Sequence, residues 1–474
     1  MEMFLSAVLA ELTTRSINFF ISKSSKPSAL DVEDRLRSVL LRAQVIVDEA
    51  MGPHITNRAM LLQVDMLRDA MHRGHYVLDT FRYQHHDKEE AKNQIVSHSS
   101  LLSRVNSAKD FCFSAGTSTQ ILEQLQKALD DLRSMILDLD ELVVFLTSYP
   151  RLYRQPYSMH LLLGNCMFGR QMEAELVISF LLHTGPHGSE DLGVLPIVGP
   201  SKVGKSTLVA HVCKDERVRD HFSEIVFLSD CDFRDEKLAT LREGCAKKYQ
   251  NCTLNKDERM LVILEAAGDF NEVEWKRLCS ASRRCMPSGS KIIITSRSDK
   301  ITTLGTTQAL TLKHLSHEAY WYFFKTLTFG SMDPEMHPRL THLAMEIVRF
   351  LNGSLIGANI MACFLRDNFD IHFWRKVLAF LRGFVKGHVS KFGEHPIDVL
   401  IQNKPAHLGR MVRTSEEIMV VHQYERSSQE EVPKIMLHDV MYGGVKPHGK
   451  FEALAWRSHV RPTITISILV RFEI

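Results

Sequence analysis

The sequence of 474 residues is poor in features that mark secreted or membrane proteins. Its nine cysteines are odd in number and include no CxxC pair, which argues against a disulfide framework or a zinc site. The one long apolar stretch, Met3 to Ile21, is interrupted by Glu11, Arg15 and Asn18, and no basic residues precede it. It therefore predicts an amphipathic helix rather than a signal peptide or a membrane span. We expect a cytoplasmic protein with reduced thiols and no transmembrane segment.

The sequence also lacks an excess of either charge. Lys and Arg number 58 against 56 Asp and Glu, a net charge of +2, which predicts no dedicated nucleic-acid surface. No leucine-rich repeat appears, so no solenoid is encoded. The remaining composition, 45% hydrophobic and 24% charged, is typical of globular domains. The length predicts roughly two to four of them.

Amphipathic patterns fill the first 150 residues. Apolar residues at a spacing of three and four predict helices over 4–20, 30–51, 59–83 and 118–146. Stripes of this width favour a compact antiparallel bundle over a long two-stranded coil. The segment 91–117 is rich in serine and has no period, so it is predicted to be an exposed connection. A purely structural role for the bundle remains open beside a role in interaction.

Short apolar runs alternate with helical segments beyond a boundary near residues 150–165. Such buried runs separated by helices predict a parallel sheet in a doubly wound α/β domain. The helical period returns from 316 to 384, and the last ninety or so residues show no clear pattern. The predicted strands are 194–198, 225–228, 260–264 and 291–295.

The first predicted strand runs directly into a loop with the pattern GxxxxGK[ST]. Its glycines let backbone N–H groups turn inward around phosphates, Lys205 neutralises phosphate oxygens, and Ser206 places its hydroxyl on Mg²⁺. The alternative is an ordinary surface turn. The predicted nucleotide-binding residues of this loop are Gly199, Pro200, Ser201, Lys202, Val203, Gly204, Lys205, Ser206 and Thr207.

Two further strands end in side chains that suit a nucleotide site. The run 260–264 leads into Glu265, which is predicted to hold Mg²⁺ together with Ser206, or else to be an ordinary helix-start acid. The next position, where a catalytic acid would stand, is Ala266, so we expect at most a weak ATPase. The run 291–295 leads into Arg297 at the carboxyl edge of the sheet, where it is predicted to contact the terminal phosphate. A solvated arginine is the alternative.

Together these motifs resemble, in order and spacing, those of the coiled-coil NB-ARC plant disease-resistance proteins (NLRs), which are signalling ATPases of the STAND class. Phe168-Gly169-Arg170 resembles the motif whose backbone lies against adenine in that family, which adds Arg170 to the predicted nucleotide-binding residues. Val212–Phe222 is similar to the segment after the P-loop helix, and Leu315–Ala319 to the start of a later helix.

The sequence departs from the family pattern at several points. Gly74-His75-Tyr76 replaces the acidic motif of the bundle, and Gly353–Ala358 lacks the proline that packs on the nucleotide in the family. Leu437-His438-Asp439 is a weak match to the MHD switch motif. The leucine-rich repeats that would follow are absent, so the resemblance implies a truncated member of the family.

The resemblance implies a nucleotide-dependent switch in plant defence that binds ADP or ATP with Mg²⁺. Its partners would be other NLR-type receptors, or a second copy engaged through the bundle. The alternatives are an adaptor with a vestigial nucleotide site and, less in keeping with Ala266, a metabolic P-loop kinase or ATPase. The expected domains are a bundle (1–150), a linker (151–190), a P-loop nucleotide-binding domain (191–315), a helical ARC1-like subdomain (316–385) and a divergent C-terminal region (386–474).

Overall fold

The structure is a computed structural model of the chain, which divides into two compact units, Met1–Gln155 and Pro156–Ile474. It describes residues 29–50, 55, 57–97, 118–139, 167–183, 192–229, 259–266, 275, 286–402, 404–411, 417–426, 435–442, 449–457 and 465–473. The predicted helix over residues 4–20 lies outside these ranges.

The described residues of the first unit form three helices, each of which packs on the other two. They are α1 (Ala29–Ala50), α2 (Arg58–Ser97) and α3 (Ser118–Leu137). Their buried residues recur at a spacing of three and four, as in Leu36, Val39, Leu40 and Ala43 of α1. The predicted helical bundle is confirmed for these elements. The prediction of a connection from residue 91 was wrong up to Ser97, because α2 continues to that residue despite its polar composition.

Gly74 lies where the three helices approach one another. A Cβ atom at this position would lie 2.8 Å from Cδ2 of Leu40 on α1 and 3.0 Å from Cδ1 of Leu132 on α3. A glycine inside a helix lowers its intrinsic stability, and here it leaves space for two buried leucine side chains. The departure from the family motif at Gly74 therefore has a packing role in this bundle.

In the second unit, α4 (Gln171–Leu182) precedes a five-stranded sheet of β1 (Gly193–Val198), β2 (Glu224–Ser229), β3 (Met260–Ala266), β4 (Lys291–Ser296) and β5 (Leu310–Thr311). The strand order is β2-β3-β4-β1-β5, and all neighbours are parallel. Apolar residues cover both faces of the sheet, which explains why its strands are continuous apolar runs in the sequence. The predicted α/β domain with a parallel sheet is confirmed.

Two short helices follow the first strand, α5 (Lys205–Val212) and α6 (Glu216–His221). Leu208 of α5 packs in the same core cluster as Leu261 and Ile263 of β3. The carboxylate of Asp215 accepts a hydrogen bond from the backbone N–H of Arg217 and so caps α6. Arg217 also pairs with Glu175 of α4 at 3.3 Å, which holds α4 against α6. Val212–Phe222, the segment similar to the one that follows the P-loop helix in the family, thus stabilises the local packing.

A helical region comes next and confirms the predicted helical subdomain. Ser316, Ser354 and Asp370 cap helices by accepting hydrogen bonds from backbone N–H groups of the first turn. Trp374 is fully buried, and its indole N–H donates to the carbonyl oxygen of Leu365 at 3.0 Å. The helices are α7 (His317–Phe329), α8 (Pro338–Arg349), α9 (Leu355–Asp367), α10 (Ile371–Phe392) and α11 (Pro396–Ile401).

The C-terminal region forms a second sheet, which no pattern in the sequence predicts. Its strands are antiparallel, in the order β6-β7-β9-β8, and a helix precedes β8 in the chain. Val420, Leu437 and Val440 form its core together with Leu400 of α11. The elements are β6 (Ala406–Gly409), β7 (Glu417–Arg426), α12 (Leu437–Tyr442), β8 (Lys450–Arg457) and β9 (Thr465–Glu473). The weak MHD match therefore lies at the start of α12.

Among the described residues, no helix combines the length and the apolar character needed to cross a bilayer. The same residues contain no cluster of three or more His, Cys, Asp or Glu side chains that could hold a metal ion.

Candidate functional site

The glycine-rich loop joins β1 to α5 at the carboxyl edge of the parallel sheet. The N–H of Gly199 donates to the carbonyl oxygen of Ser296 at the end of β4, at 3.3 Å. Gly199 has φ +158°, and a Cβ atom on it would lie 2.5 Å from the carbonyl oxygen of Leu312. Leu312 is fixed in turn, because its N–H donates to Val198 at 2.8 Å. Only glycine fits at this point without moving the backbone.

The second glycine of the pattern, Gly204, is the N-cap of α5. It has the left-handed conformation with φ +98°, and no side chain caps the helix. The first backbone N–H groups of α5 therefore have no partner within the helix and point toward the loop. This is the arrangement that binds phosphate at helix N-termini, and it fits the phosphate chain of a nucleotide.

The side chain of Lys205 extends back across the loop that ends at this residue. Its Nζ donates to the carbonyl oxygens of Gly199 at 2.7 Å and Pro200 at 2.8 Å. These bonds hold the ammonium group across the loop before any ligand arrives, which lowers the entropy lost on binding. The predicted role of Lys205 at the phosphates is compatible with this position.

Glu265 lies on the same face of the sheet as the P-loop helix. Side chains alternate along a strand, and Leu261 and Ile263 pack against Leu208 of α5, so Glu265 shares their face. Ser206, at the start of α5, is half-buried, as is Glu265. A hydroxyl and a carboxylate are both ligands that Mg²⁺ accepts, so the donor set fits the metal. Ala266 is buried on the opposite face and carries no acid.

Arg297 follows β4, the strand between β1 and β3. Its side chain is exposed and makes no hydrogen bond or ion pair within the described part of the chain. In the sequence it comes directly after Ser296, whose carbonyl accepts the N–H of Gly199. Its backbone is thus adjacent to the loop, and contact with a terminal phosphate stays a prediction.

Arg170 has protein partners rather than an open position. Its guanidinium is buried, donates to the carbonyl oxygen of Lys313 and pairs with Glu173 at 2.8 Å. Phe168 packs its ring against Tyr322 and Phe323 of α7, with centroid distances of 6.1 and 5.2 Å. The motif therefore fastens the start of α4 to the middle of α7 and to the segment just before that helix. Its contact with adenine stays a prediction.

Lys202 is a residue of the loop whose partner the sequence could not indicate. It has φ +58°, which is rare for a residue with a side chain. Its Nζ donates to the carbonyl oxygen of Leu400, at 2.9 Å, near the end of α11. The partner is a backbone atom 198 residues away, so no sequence pattern marks it.

Burial favours the uncharged forms of two titratable groups near the end of α5. Burial raises the pKa of the Cys213 thiol to about 12, so it stays protonated. Burial also lowers the pKa of His211, which favours the neutral imidazole. Neither group adds charge to the site, and the lysines of the loop supply its positive potential.

A parallel sheet of this strand order, with a GxxxxGK[ST] loop between β1 and the next helix, defines a P-loop NTPase-like domain. Residues 171–333 match the NB-ARC domain family. The chain therefore contains an NB-ARC domain, and it is homologous to plant disease-resistance proteins of the NLR type.

Two relatives illustrate the extent of the match. Disease resistance protein RGA2 of Solanum bulbocastanum is 28% identical over 221 residues, which cover 42% of this chain and 22% of the relative. A disease resistance RPP13-like protein 1 of Arabidopsis thaliana is 25% identical over 416 residues, covering 80% and 37% respectively. The aligned parts thus span less than two fifths of either relative.

Solved structures match only loosely. The structures of Drosophila ORC bound to DNA and of C. elegans PCH-2 give TM-scores of 0.31 and 0.28, at 11% and 14% identity. They cover 51% and 38% of this chain, and 78% and 58% of their own. Scores of this size support no argument about function.

Proposed function

We propose that this protein is a nucleotide-dependent signalling switch in plant defence, which binds ADP or ATP at Gly199–Thr207. The observation that carries the proposal is the geometry of the loop. Gly199 makes room for the backbone of Leu312, Gly204 opens the N-terminus of α5, and Lys205 is held across the loop by two carbonyl oxygens. A surface turn requires none of these features.

Mg²⁺ would be held by Ser206 and Glu265, and Arg297 would contact the terminal phosphate. A bound Mg²⁺ neutralises phosphate charge. The residues of this chain would bind and orient the nucleotide, and Ala266 supplies no base to activate a water molecule. We therefore propose slow hydrolysis or none, with ADP in the closed state and ATP in the open state, as in the family that the sequence resembles.

The proposed domains are residues 1–150, 151–190, 191–315, 316–385 and 386–474, and the proposed location is the cytoplasm. The partners would be other receptors of this class or a second copy of the chain. Exposed apolar side chains on the bundle support an interaction role, because Leu41, Val45 and Met66 are 63%, 59% and 58% exposed. This observation also favours the second candidate function, an adaptor whose nucleotide site is vestigial.

Nucleotide binding separates the two functions. The purified chain is denatured and the released nucleotide identified, and binding of radiolabelled ADP and ATP is then measured for the unsubstituted protein and for Lys205→Ala. If the protein is a switch, the unsubstituted protein binds nucleotide and the Lys205→Ala variant does not. Lys313→Ala is the matched control, because this lysine is exposed and its bond from Arg170 goes to the backbone carbonyl, which the substitution keeps. If the unsubstituted protein binds neither nucleotide, the switch is excluded and the adaptor function remains.

A further inference from the structure

Two residues of the described chain combine a side chain with a left-handed backbone. They are Lys202, with φ +58°, and Asn352, with φ +45°. This conformation is unfavourable for residues other than glycine, and for lysine more than for asparagine. Such strain persists only where the surrounding contacts support it, and it collects at switches and ligand clamps.

Both residues direct their side chains to the same short helix, α11. Nζ of Lys202 donates to the carbonyl oxygen of Leu400 at 2.9 Å, and Nδ2 of Asn352 donates to the Asp398 carboxylate at 2.7 Å. Lys202 belongs to the phosphate loop, and Asn352 precedes the cap of α9. The helix is therefore fastened at one end to the nucleotide site and along its length to the helical region.

α11 is also part of the core of the C-terminal sheet. The side chain of Leu400 packs against the cluster that contains Val420 of β7 and Leu437 and Val440 of α12. A single residue thus offers its carbonyl oxygen to the phosphate loop and its side chain to the second sheet. Movement of Leu400 would therefore affect the phosphate loop and the second sheet.

We propose that α11 is a latch, closed by Lys202 and opened by a nucleoside triphosphate bound at the loop. The inference rests on the proposed function, because it needs a polyphosphate at that site. The ammonium of Lys202 has two kinds of acceptor. A carbonyl at a helix C-terminus carries a partial negative charge, whereas phosphate oxygens carry full charges and make stronger hydrogen bonds. A bound triphosphate therefore draws Lys202 away from Leu400 and frees α11.

The backbone amides around α11 report this contact directly. The N–H of Gln402 donates to Asp398 at 3.1 Å, and that of Lys404 donates to Val399 at 3.1 Å. Hydrogen exchange at these amides, measured on the full chain by mass spectrometry, follows local opening of the helix. Nucleotide is first removed from the protein, and its absence is verified by chromatography of a denatured sample.

The test variant is Lys202→Gly, which removes the ammonium and also relieves the unfavourable φ, so that the loop keeps its shape. Lys313→Met, at an exposed lysine in the same unit, is the matched control. Without nucleotide we expect Lys202→Gly to speed exchange at the α11 amides by about tenfold, the size of one net hydrogen bond, and Lys313→Met to leave it unchanged. Mg-ATP should speed the same amides in the unsubstituted protein and add nothing further in Lys202→Gly.

The outcomes distinguish failure of the latch proposal from failure of the proposed nucleotide binding. Equal exchange in the nucleotide-free unsubstituted protein and in Lys202→Gly overturns the latch. Binding of Mg-ATP to the unsubstituted protein without faster exchange at α11 also overturns it, and leaves the proposed function standing. A binding titration that detects neither Mg-ATP nor ADP on the unsubstituted protein overturns the proposed function and the release step together. Binding of ADP without binding of Mg-ATP overturns the release step alone.

Discussion

The backbone of Leu312 crosses directly over Gly199, close enough that a Cβ atom on Gly199 would lie 2.5 Å from the carbonyl oxygen of Leu312. No side chain can relieve this contact, because both partners are main chain. The shape of the phosphate loop therefore depends on a hydrogen at this position.

We expect Gly199→Ala to weaken nucleotide binding by at least about tenfold and to lower the free energy of unfolding by about 1–3 kcal/mol, because the loop must shift. Nucleotide titration and chemical denaturation measure the two effects. Gly383→Ala makes the same chemical change on α10, where a Cβ atom meets nothing within 4 Å. That variant should bind nucleotide normally and gain up to about 1 kcal/mol. Normal binding by Gly199→Ala would contradict the role given to the close approach.

Gly74→Val tests the packing of the bundle. The added side chain would overlap Leu40 and Leu132, which lie 2.8 and 3.0 Å from a Cβ atom. We expect a loss of about 1–3 kcal/mol, because overpacking forces buried side chains out of their preferred rotamers. Ala59→Val, at an exposed position of the same helix, is the control and should cost well under 1 kcal/mol. The melting temperatures of the two variants are compared by thermal denaturation of the full chain. Equal melting temperatures would show that the bundle accommodates a larger side chain at position 74.

His342 makes stability depend on pH. Burial, with a smaller contribution from the positive charge of Arg349, lowers the pKa of His342 from 6.5 to about 4. The unfolded chain takes up a proton at this residue before the folded one does. The stabilising contribution is therefore complete above pH 6.5 and is lost as the pH falls toward 4.

We expect the unfolding free energy of His342→Gln to fall less over this range than that of the unsubstituted protein, by about 1–3 kcal/mol. Urea denaturation at pH 7.5, 6, 5 and 4.5 measures it. His372→Gln replaces an exposed histidine and should follow the unsubstituted curve. Parallel curves for all three proteins would remove His342 as a cause of the acid response.

Glu265→Gln tests the proposed Mg²⁺ position. An amide binds Mg²⁺ more weakly than a carboxylate, so we expect ATP affinity to fall about tenfold with Mg²⁺ present and to stay unchanged in excess EDTA. Asp299→Asn is the control for charge, because it removes one carboxylate just beyond the end of β4. Equal losses in Mg²⁺ and EDTA would assign Glu265 a role in folding rather than in metal binding.

The sequence predicted the parallel sheet well, because strands buried on both faces are continuous apolar runs. Ile292, Ile293 and Ile294 of β4 are all fully buried. The loop was equally visible, since its chemistry requires fixed residues at a fixed spacing. The structure separates two arginines that the sequence predicts for the same nucleotide site. Arg170 already has protein partners, whereas Arg297 is exposed.

The C-terminal sheet was missed for a physical reason. β7 pairs with β9, whose paired residues lie 39 to 56 positions further along the chain, and the register shifts between Val420 and His422. A bulge breaks the alternation of apolar and polar residues by which a strand is recognised. The link from Lys202 to Leu400 has no sequence signature, because its acceptor is a carbonyl oxygen that every residue carries.

The strand order also sets when the phosphate loop can form during synthesis. Among the described strands, β1 pairs with β4 and β5, and each of these partners is made about a hundred residues later. A ribosome that has released Gly199–Thr207 has released every residue of the motif, but neither the flanking strands nor Leu312. The loop must therefore wait, open and without its final shape, until Leu312 leaves the exit tunnel.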